Sequence, residues 1–355
     1  MHSSTTLLSL SLTVRLDGPI DYAASLEMFR RSGDDLLDRW DGATFVRTIT
    51  IDGSPIAYAC TFEQACDSLN VRVTVEHSRF RGDIETLVRS MFVMPPPNFA
   101  DLLKTDPVIA ALDARYPAVR SVRHANLFNA LLRCITTQQV NLRWAATCRR
   151  RLAETFGRAH SVGGHSVYRL DPARIAGLDV ADIRALQLTN RKAEYIINAA
   201  RAIASGDLTV AVLDTLTDDE IIARLTAIRG IGLWSAEWIL ARTLGRPRVV
   251  AGDLGVRKAV ALAYPGSPSP PEVGSAVILP PEARSGGILP SEINVRRATA
   301  HWGESAAVIQ TLLLHALAEK TLADIAAQAA KAANLAAPAA RRSGKLPRDA
   351  HGGAP

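Results

Sequence analysis

The chain has 355 residues, and 48% of them are hydrophobic, enough to bury more than one core of ordinary domain size, which excludes a fibrous or disordered protein. Its 41 Lys and Arg outnumber its 35 Asp and Glu, and the formal charge of +6 is compatible with a polyanionic partner without requiring one. Four cysteines, Cys60, Cys66, Cys134 and Cys148, contain no CxxC pair and no close four-ligand cluster, so structural zinc and iron–sulfur binding are not expected and a reduced, cytoplasmic setting is.

The first residues lack both a basic stretch and a continuous apolar run, because Ser9, Ser11 and Thr13 alternate with Leu8, Leu10, Leu12 and Val14. This is the pattern of a strand, not of a signal or a membrane span. The same alternation returns at Phe45 to Ile51, Ile56 to Phe62 and Leu69 to Val75, with Asp52, Gly53, Ser54 and Pro55 as a hairpin signal. Between the first two strands, Tyr22 to Trp40 reads as one amphipathic helix with Leu26, Phe29, Leu36 and Leu37 on its apolar side. Residues 1–94 are therefore expected to form a small antiparallel sheet domain with a helix on one face. No catalytic cluster stands out in it.

Pro95, Pro96 and Pro97 mark a turn, and the chain beyond them is nearly all helix, giving an α+β protein overall. Asn126 to Phe156 is helical, but the polar run Thr136, Thr137, Gln138, Gln139 interrupts it, either as an interhelical loop or as a face that meets a ligand. Ala173 to Leu186, Arg191 to Ser205 and Val212 to Leu216 supply shorter helices, with Gly206 as a C-terminal stop. Arg191 and Lys192 are equally readable as a solvated helix start or as a ligand contact.

The most informative stretch is 217–245. The acidic run Asp218, Asp219, Glu220 opens a helix carrying Ile221, Ile222, Leu225 and Ile228; Gly230, Ile231 and Gly232 make a tight turn; Leu233 to Leu244 forms a second helix that Pro247 follows. The free N–H groups and positive dipole end at the start of that second helix suit a phosphate. Beyond it comes a short apolar piece, Val249 to Ala251, then Gly252, Asp253 and a further helix from Leu254 to Ala263. Residues 265–291, rich in Pro, Gly and Ser, read as a flexible insertion; helix resumes at Glu292 to Ala318, and 321–355 reads as an Ala-rich and basic tail, largely disordered.

The segments LTAIRGIGLWSAEWI and AGDLGVRKA, with ITTQQV and TNRKAEYI upstream, resemble the AlkA-like DNA-3-methyladenine glycosylases of the helix-hairpin-helix superfamily. The resemblance runs from about Leu8 to Tyr264 and includes the N-terminal sheet. It implies a glycosylase domain over 95–320 and duplex DNA as partner, with neither a membrane nor an obligate protein partner. Gly230, Ile231 and Gly232 would hold the phosphate backbone through main-chain N–H groups. Asp253 would be the catalytic carboxylate: bond cleavage creates an oxocarbenium-like sugar, and a negative charge beside C1′ stabilises it. Strand-cleaving relatives carry a lysine nucleophile two residues after the second hairpin glycine, where this chain has Trp234, so a monofunctional enzyme is expected. Trp234 and Trp238, four residues apart on one helix face, match the base-pocket aromatics, which would attract a cationic alkylated base. Thr137, Gln138 and Gln139 match the loop that enters the gap left by the flipped base, although Gln139 is polar where some relatives are apolar. No cofactor is implied beyond a monovalent cation on hairpin carbonyls. Trp302, followed here by Gly303, Glu304 and Ser305, departs from the family's C-terminal pattern. A glycosylase for oxidised or deaminated bases and an inactive DNA binder are the alternatives.

Overall fold

A computed structural model describes residues 10–75, 77–265 and 289–342, with side chains to residue 332. The four expected strands are present: β1 (Leu10–Asp17), then, after a short strand β2 (Asp38–Trp40), β3 (Thr44–Ile51), β4 (Ser54–Ala65) and β5 (Ser68–Val75). They form one antiparallel sheet in the order β1-β5-β4-β3-β2. Asp52 and Gly53, both at positive φ, make the two-residue turn that sets Ile51 opposite Ser54. The alternation buries Leu12, Val14 and Leu16 with Val71, Val73 and Val75 against Phe29 and Ile84.

The single helix expected from Tyr22 to Trp40 is not formed. Two short helices, α1 (Tyr22–Leu26) and α2 (Met28–Arg31), stop at Gly33, which sits at φ 107°. The Asp34 and Asp35 carboxylates then accept the N–H groups of Leu36, Leu37 and Asp38, which turns the chain into β2 instead of another helical turn.

Helix α3 (Arg81–Arg89) covers β1, and a two-residue ladder of β6 (Phe92–Val93) with β7 (Ser121–Val122) joins this domain to the helices. Between those strands lie α4 (Phe99–Thr105) and α5 (Pro107–Arg115). Next come α6 (Leu127–Thr137), α7 (Leu142–Phe156) and an unexpected hairpin of β8 (Arg158–Val162) and β9 (His165–Arg169) turning at Gly163 and Gly164. Val162 and Val167 of this hairpin pack on Val46, Ala57 and Ala59, so it covers the outer face of the N-terminal sheet. Then follow α8 (Pro172–Ala176), α9 (Val180–Arg184), α10 (Asn190–Ala204), α11 (Val210–Asp214), α12 (Asp218–Thr226), α13 (Leu233–Arg242), α14 (Leu254–Ala263), α15 (Glu292–Thr299), α16 (Ala306–Ala318) and α17 (Leu322–Arg342).

The helices divide between two cores. One gathers Leu131, Ile135, Ile196, Ile221, Leu225, Ile231 and Ile239 around α6, α10, α12 and α13. The other gathers Ile109, Val256, Val260, Trp302, Ile309 and Leu312 around α5, α14 and α16. The tail expectation is corrected over its first part, because Leu322, Ile325 and Ala329 of α17 are buried in the second core at helical spacing. Most of the 265–291 insertion and the end of the tail lie outside the described residues.

Candidate active site

Thr217 and Glu220 form a capping box at the start of α12, each side chain bonding to the other's backbone N–H. The hairpin after it differs at its two glycines. Gly230 sits at φ 102°, and a Cβ there would overlap the Tyr195 ring, so the fold itself needs glycine. Gly232 has an ordinary φ of −99°, and a Cβ there would meet nothing within 4 Å. Gly232 is the N-cap of α13 and offers no side-chain cap, whereas Asn126, Asn141, Thr189 and Thr217 each cap their helices by side-chain hydrogen bonds. The N–H groups of the first turn of α13 are thus left without a side-chain cap. Ile231 between the glycines is buried in the first core and its N–H bonds to the Ile228 carbonyl, so the middle residue anchors the turn.

The polar run before α7 is an interhelical loop at the end of α6. Gln138 Nε2 donates to the Gly230 carbonyl at 3.1 Å and ties this loop to the hairpin. Gln139 is exposed and at φ 56°, so its side chain is carried at the tip. The loop is held from beneath: Lys192 Nζ donates to the Thr136 carbonyl at 2.9 Å, and Arg149 Nη1 donates to Thr136 Oγ1 at 3.0 Å. Lys192 is therefore a support of the loop, and Thr137, whose hydroxyl bonds to Arg133 and Cys134 carbonyls, closes the last turn of α6. Arg149 in turn donates through Nε to Asp35 Oδ2 at 2.8 Å, and Arg133 Nη2 reaches the same oxygen at 2.9 Å. Burial opposes the charge on Asp35, but the two guanidinium groups hold its carboxyl below the ordinary range. Neither Asp35 nor Arg149 was recognisable from the sequence, since the contact joins positions 114 residues apart.

Asp253 caps α14, its Oδ1 accepting the Val256 N–H at 3.0 Å, while Oδ2 accepts the Trp234 indole Nε1–H at 3.1 Å. Gly252 and Gly255 flank it closely: a Cβ at Gly252 would come within 2.9 Å of Glu292 Oε1, and one at Gly255 within 3.0 Å of Asp253 Oδ1. Burial pulls the nearby Arg242 guanidinium down to about 10 against the opposing pull of the Asp253 charge. Trp234 and Trp238 are both half-buried on the first core. Behind Trp238 stands His124, ring centroids 4.9 Å apart, and behind His124 stands Phe29 at 5.0 Å. Between the two tryptophans in sequence, Glu237 is fully buried and paired with Arg248 at 2.9 Å and Arg296 at 2.7 Å, which fastens α13 to α15. Trp302 is fully buried in the second core beside Tyr264 and His301.

The structure thus assembles the hairpin, the Gln138–Gln139 loop, Trp234 and Asp253 around the N-terminal end of α13. A family model described as "HhH-GPD superfamily base excision DNA repair protein" matches residues 132–277, which contain all of these groups. The chain carries an HhH-GPD superfamily domain. The Bacillus subtilis (strain 168) protein YfjP is 35% identical over 153 residues, 43% of this chain and 52% of that one. A DNA-3-methyladenine glycosylase of the same organism is 33% identical over 150 residues, 42% of this chain and 50% of that one. The chain spans about half the length of the curated relatives it matches. Over the whole fold, the 3-methyladenine DNA-glycosylase from Archaeoglobus fulgidus superposes with a TM-score of 0.70 at 20% identity, covering 86% of this chain and 98% of that one. The chain therefore shares the fold of that enzyme, sheet domain included. Among the described residues no group of three or more His, Cys, Asp or Glu gathers as a metal site, and no helix is long and apolar enough to cross a membrane.

Proposed function

We propose that this protein is a monofunctional DNA glycosylase that hydrolyses the N-glycosidic bond of alkylated purines, of the 3-methyladenine and 7-methylguanine type, in duplex DNA. The observation that carries the reading is the carboxylate of Asp253, oriented by one backbone and one indole donor. The hairpin binds a phosphate through the N–H groups of Gly232 and the first turn of α13, and Gln139 enters the stack as the target base leaves it. The cationic base lies against Trp234 or Trp238, where cation–π attraction favours it over a neutral base by about 0.5–2 kcal/mol.

As the bond between C1′ and the base nitrogen lengthens, the electron pair departs with the base and neutralises its positive charge. The Asp253 carboxylate stabilises the sugar cation, and water adds its oxygen to C1′ while Asp253 takes the released proton. Trp234 stands where a Schiff-base lysine would be required for strand cleavage, and an indole cannot form one. A monovalent cation on the hairpin carbonyls fits the residues present. The Ile228 and Gly230 carbonyls each accept one hydrogen bond, from Ile231 and Gln138, and keep a second lone pair.

The test is release of free base from methylated duplex DNA by wild type and by Asp253→Asn, with borohydride trapping in parallel. Release of 3-methyladenine or 7-methylguanine, abolished by the substitution and without a trapped covalent adduct, supports the reading. Release of oxidised or deaminated bases alone redirects the substrate class. Salt-dependent DNA binding with no release of any base makes the protein a binder only.

A further inference from the structure

We propose that Gln310 is a positioning residue for the Asp253 carboxylate, acting through the backbone of Val250. The inference rests on the assignment of Asp253 as the catalytic group. Asp253 ends an irregular stretch, residues 243–253, that links α13 to α14 and belongs to no helix or strand. A buried N–H in such a stretch has no ladder to satisfy it and needs a partner from elsewhere.

Val250 is 2% exposed, and its N–H donates to Gln310 Oε1 at 2.8 Å. Its carbonyl accepts the Asp253 N–H at 3.0 Å. One residue is thus held by α16 on one side and holds the catalytic residue on the other. Gln310 is 1% exposed and lies among Val308, Ile309, Leu312 and Leu313, which are buried in the second core. Burying an amide costs free energy unless it is hydrogen-bonded, so an apolar side chain of similar length would be the simpler filling for this place. What glutamine adds is an acceptor, and that acceptor is used on the backbone of the segment that carries Asp253.

The other contacts of the segment come from α13 and α14. Upstream, Arg248 donates through Nε and Nη2 to Glu237 Oε1 at 3.1 and 2.9 Å, which ties the segment to α13 three residues beyond Trp234. Downstream, the Trp234 indole and the Val256 N–H hold the two Asp253 oxygens. Gln310 ties the same segment to α16. Removal of its acceptor leaves the Val250 N–H buried and unpaired. The peptide regains a partner by turning toward water, and the turn that carries Asp253 moves with it. The consequence falls on the chemistry and not on DNA binding, because the hairpin N–H groups belong to Gly232 and the first turn of α13. A displacement of about 1 Å at a reacting group costs on the order of a hundredfold in rate.

The experiment measures single-turnover base release from methylated duplex DNA at saturating enzyme, beside duplex affinity and melting temperature. Gln310→Met keeps an unbranched side chain and removes the acceptor. Its base release should fall about ten- to a hundredfold with duplex affinity unchanged. Gln310→Glu keeps an acceptor of the same shape, since a carboxyl oxygen takes the N–H whether or not the group is ionised. It should restore most of the rate, although the buried carboxyl lowers the melting temperature. Ile109→Val opens a small cavity in the same core on α5 and leaves the Val250 bond in place, so it should lower the melting temperature without slowing base release. If the methionine variant does not fold, Gln310→Asn, which withdraws the amide by one methylene, should show the same loss of rate. Base release at the wild-type rate by folded Gln310→Met or Gln310→Asn, a loss that Gln310→Glu does not restore, or an equal loss in Ile109→Val overturns the proposal. No base release by wild type, or full release by Asp253→Asn, overturns the reading of the site itself. An inactive Asp253→Asn beside a fully active Gln310→Met overturns the positioning role alone.

Discussion

The indole Nε1–H of Trp234 and the Oδ2 of Asp253, 3.1 Å apart, join the two helical cores. Trp234 belongs to α13 and packs on the first core; Asp253 caps α14, whose Val256 and Val260 lie in the second. Trp234 thus holds the Asp253 carboxylate in place. Asp253→Asn keeps a capping side chain and should fold with nearly unchanged stability, while base release falls by about two or more orders of magnitude. Trp234→Phe keeps most of the packing and removes the donor. Loss of a hydrogen bond to a charged group is worth about 1.5–3 kcal/mol, so base release per encounter should fall about tenfold or more. Single-turnover kinetics with both variants checks this, and a Trp234→Phe enzyme as fast as wild type would remove the indole from the mechanism.

The two hairpin glycines should separate folding from binding. Gly230→Ala places a methyl group in the Tyr195 ring at a φ of 102°, and a loss of a few kcal/mol in denaturant unfolding is expected. Gly232→Ala meets nothing in the protein, and Ala is a poorer N-cap than Gly, so stability should change by no more than about 1 kcal/mol. Under the proposed function its DNA affinity should nevertheless fall, because the methyl group would occupy the open space at Gly232 assigned to the phosphate backbone. Measuring both variants by urea titration and by duplex binding decides the matter; equal losses in both assays would mean that Gly232 is structural.

How much of the fold and site was legible in the sequence depends on how local each signal is. The strands, the acidic start of α12, the hairpin and Asp253 announce themselves within ten or so residues, through alternation, charge and glycine spacing. The break after α2 was not legible, because Asp34 and Asp35 look like a helix's polar face until their carboxylates are seen capping the next three N–H groups. The β8–β9 hairpin was missed although Gly163-Gly164 is a turn signal, since only Val162 and Val167 of its ten strand residues are buried. The tail looked too poor in large side chains to fold; it packs because Leu322, Ile325 and Ala329 fall on one helical face against a core already built. The supports of the Gln139 loop were invisible for another reason: they are contacts between distant positions.

Those supports give a third prediction. Asp35 is 2% exposed and neutralises Arg133 and Arg149, and Arg149 holds Thr136. Asp35→Asn leaves the buried Arg149 without its carboxylate and the part-buried Arg133 with only Asp38 at 3.8 Å, and breaking a buried pair costs about 3–5 kcal/mol. The native carboxyl titrates below its ordinary value of 3.8, so its contribution is present above that pH and is lost as pH falls through the lower native value. At neutral pH and a temperature where the variant is folded, nicked or abasic DNA, which needs less help in opening, should be bound better relative to intact duplex than by wild type. Unchanged stability in Asp35→Asn would show that Arg133 and Arg149 find other partners.

His124 should make the fold sensitive to acid. It is 1% exposed, lies between Phe29 and Trp238, and neither ring nitrogen has a hydrogen-bond partner among the described residues. Burial, and then the charges of Arg133, Arg47, Arg242 and Arg149, hold its pKa well below the ordinary 6.5. The unfolded chain therefore binds a proton near pH 6.5 that the native protein refuses. Where the unfolded state binds more protons, stability falls as pH falls, so the loss begins below about 6.5 and continues to the native pKa, at up to about 1.4 kcal/mol per pH unit for one group. His315, also lowered by burial and by Arg31, contributes in the same direction, so wild type alone does not isolate the effect. His124→Phe keeps a ring between Phe29 and Trp238 and cannot protonate. Chemical denaturation from pH 8 to 5 should give a shallower decline for this variant than for wild type, with the curves diverging below pH 6.5; parallel curves would place the acid sensitivity elsewhere.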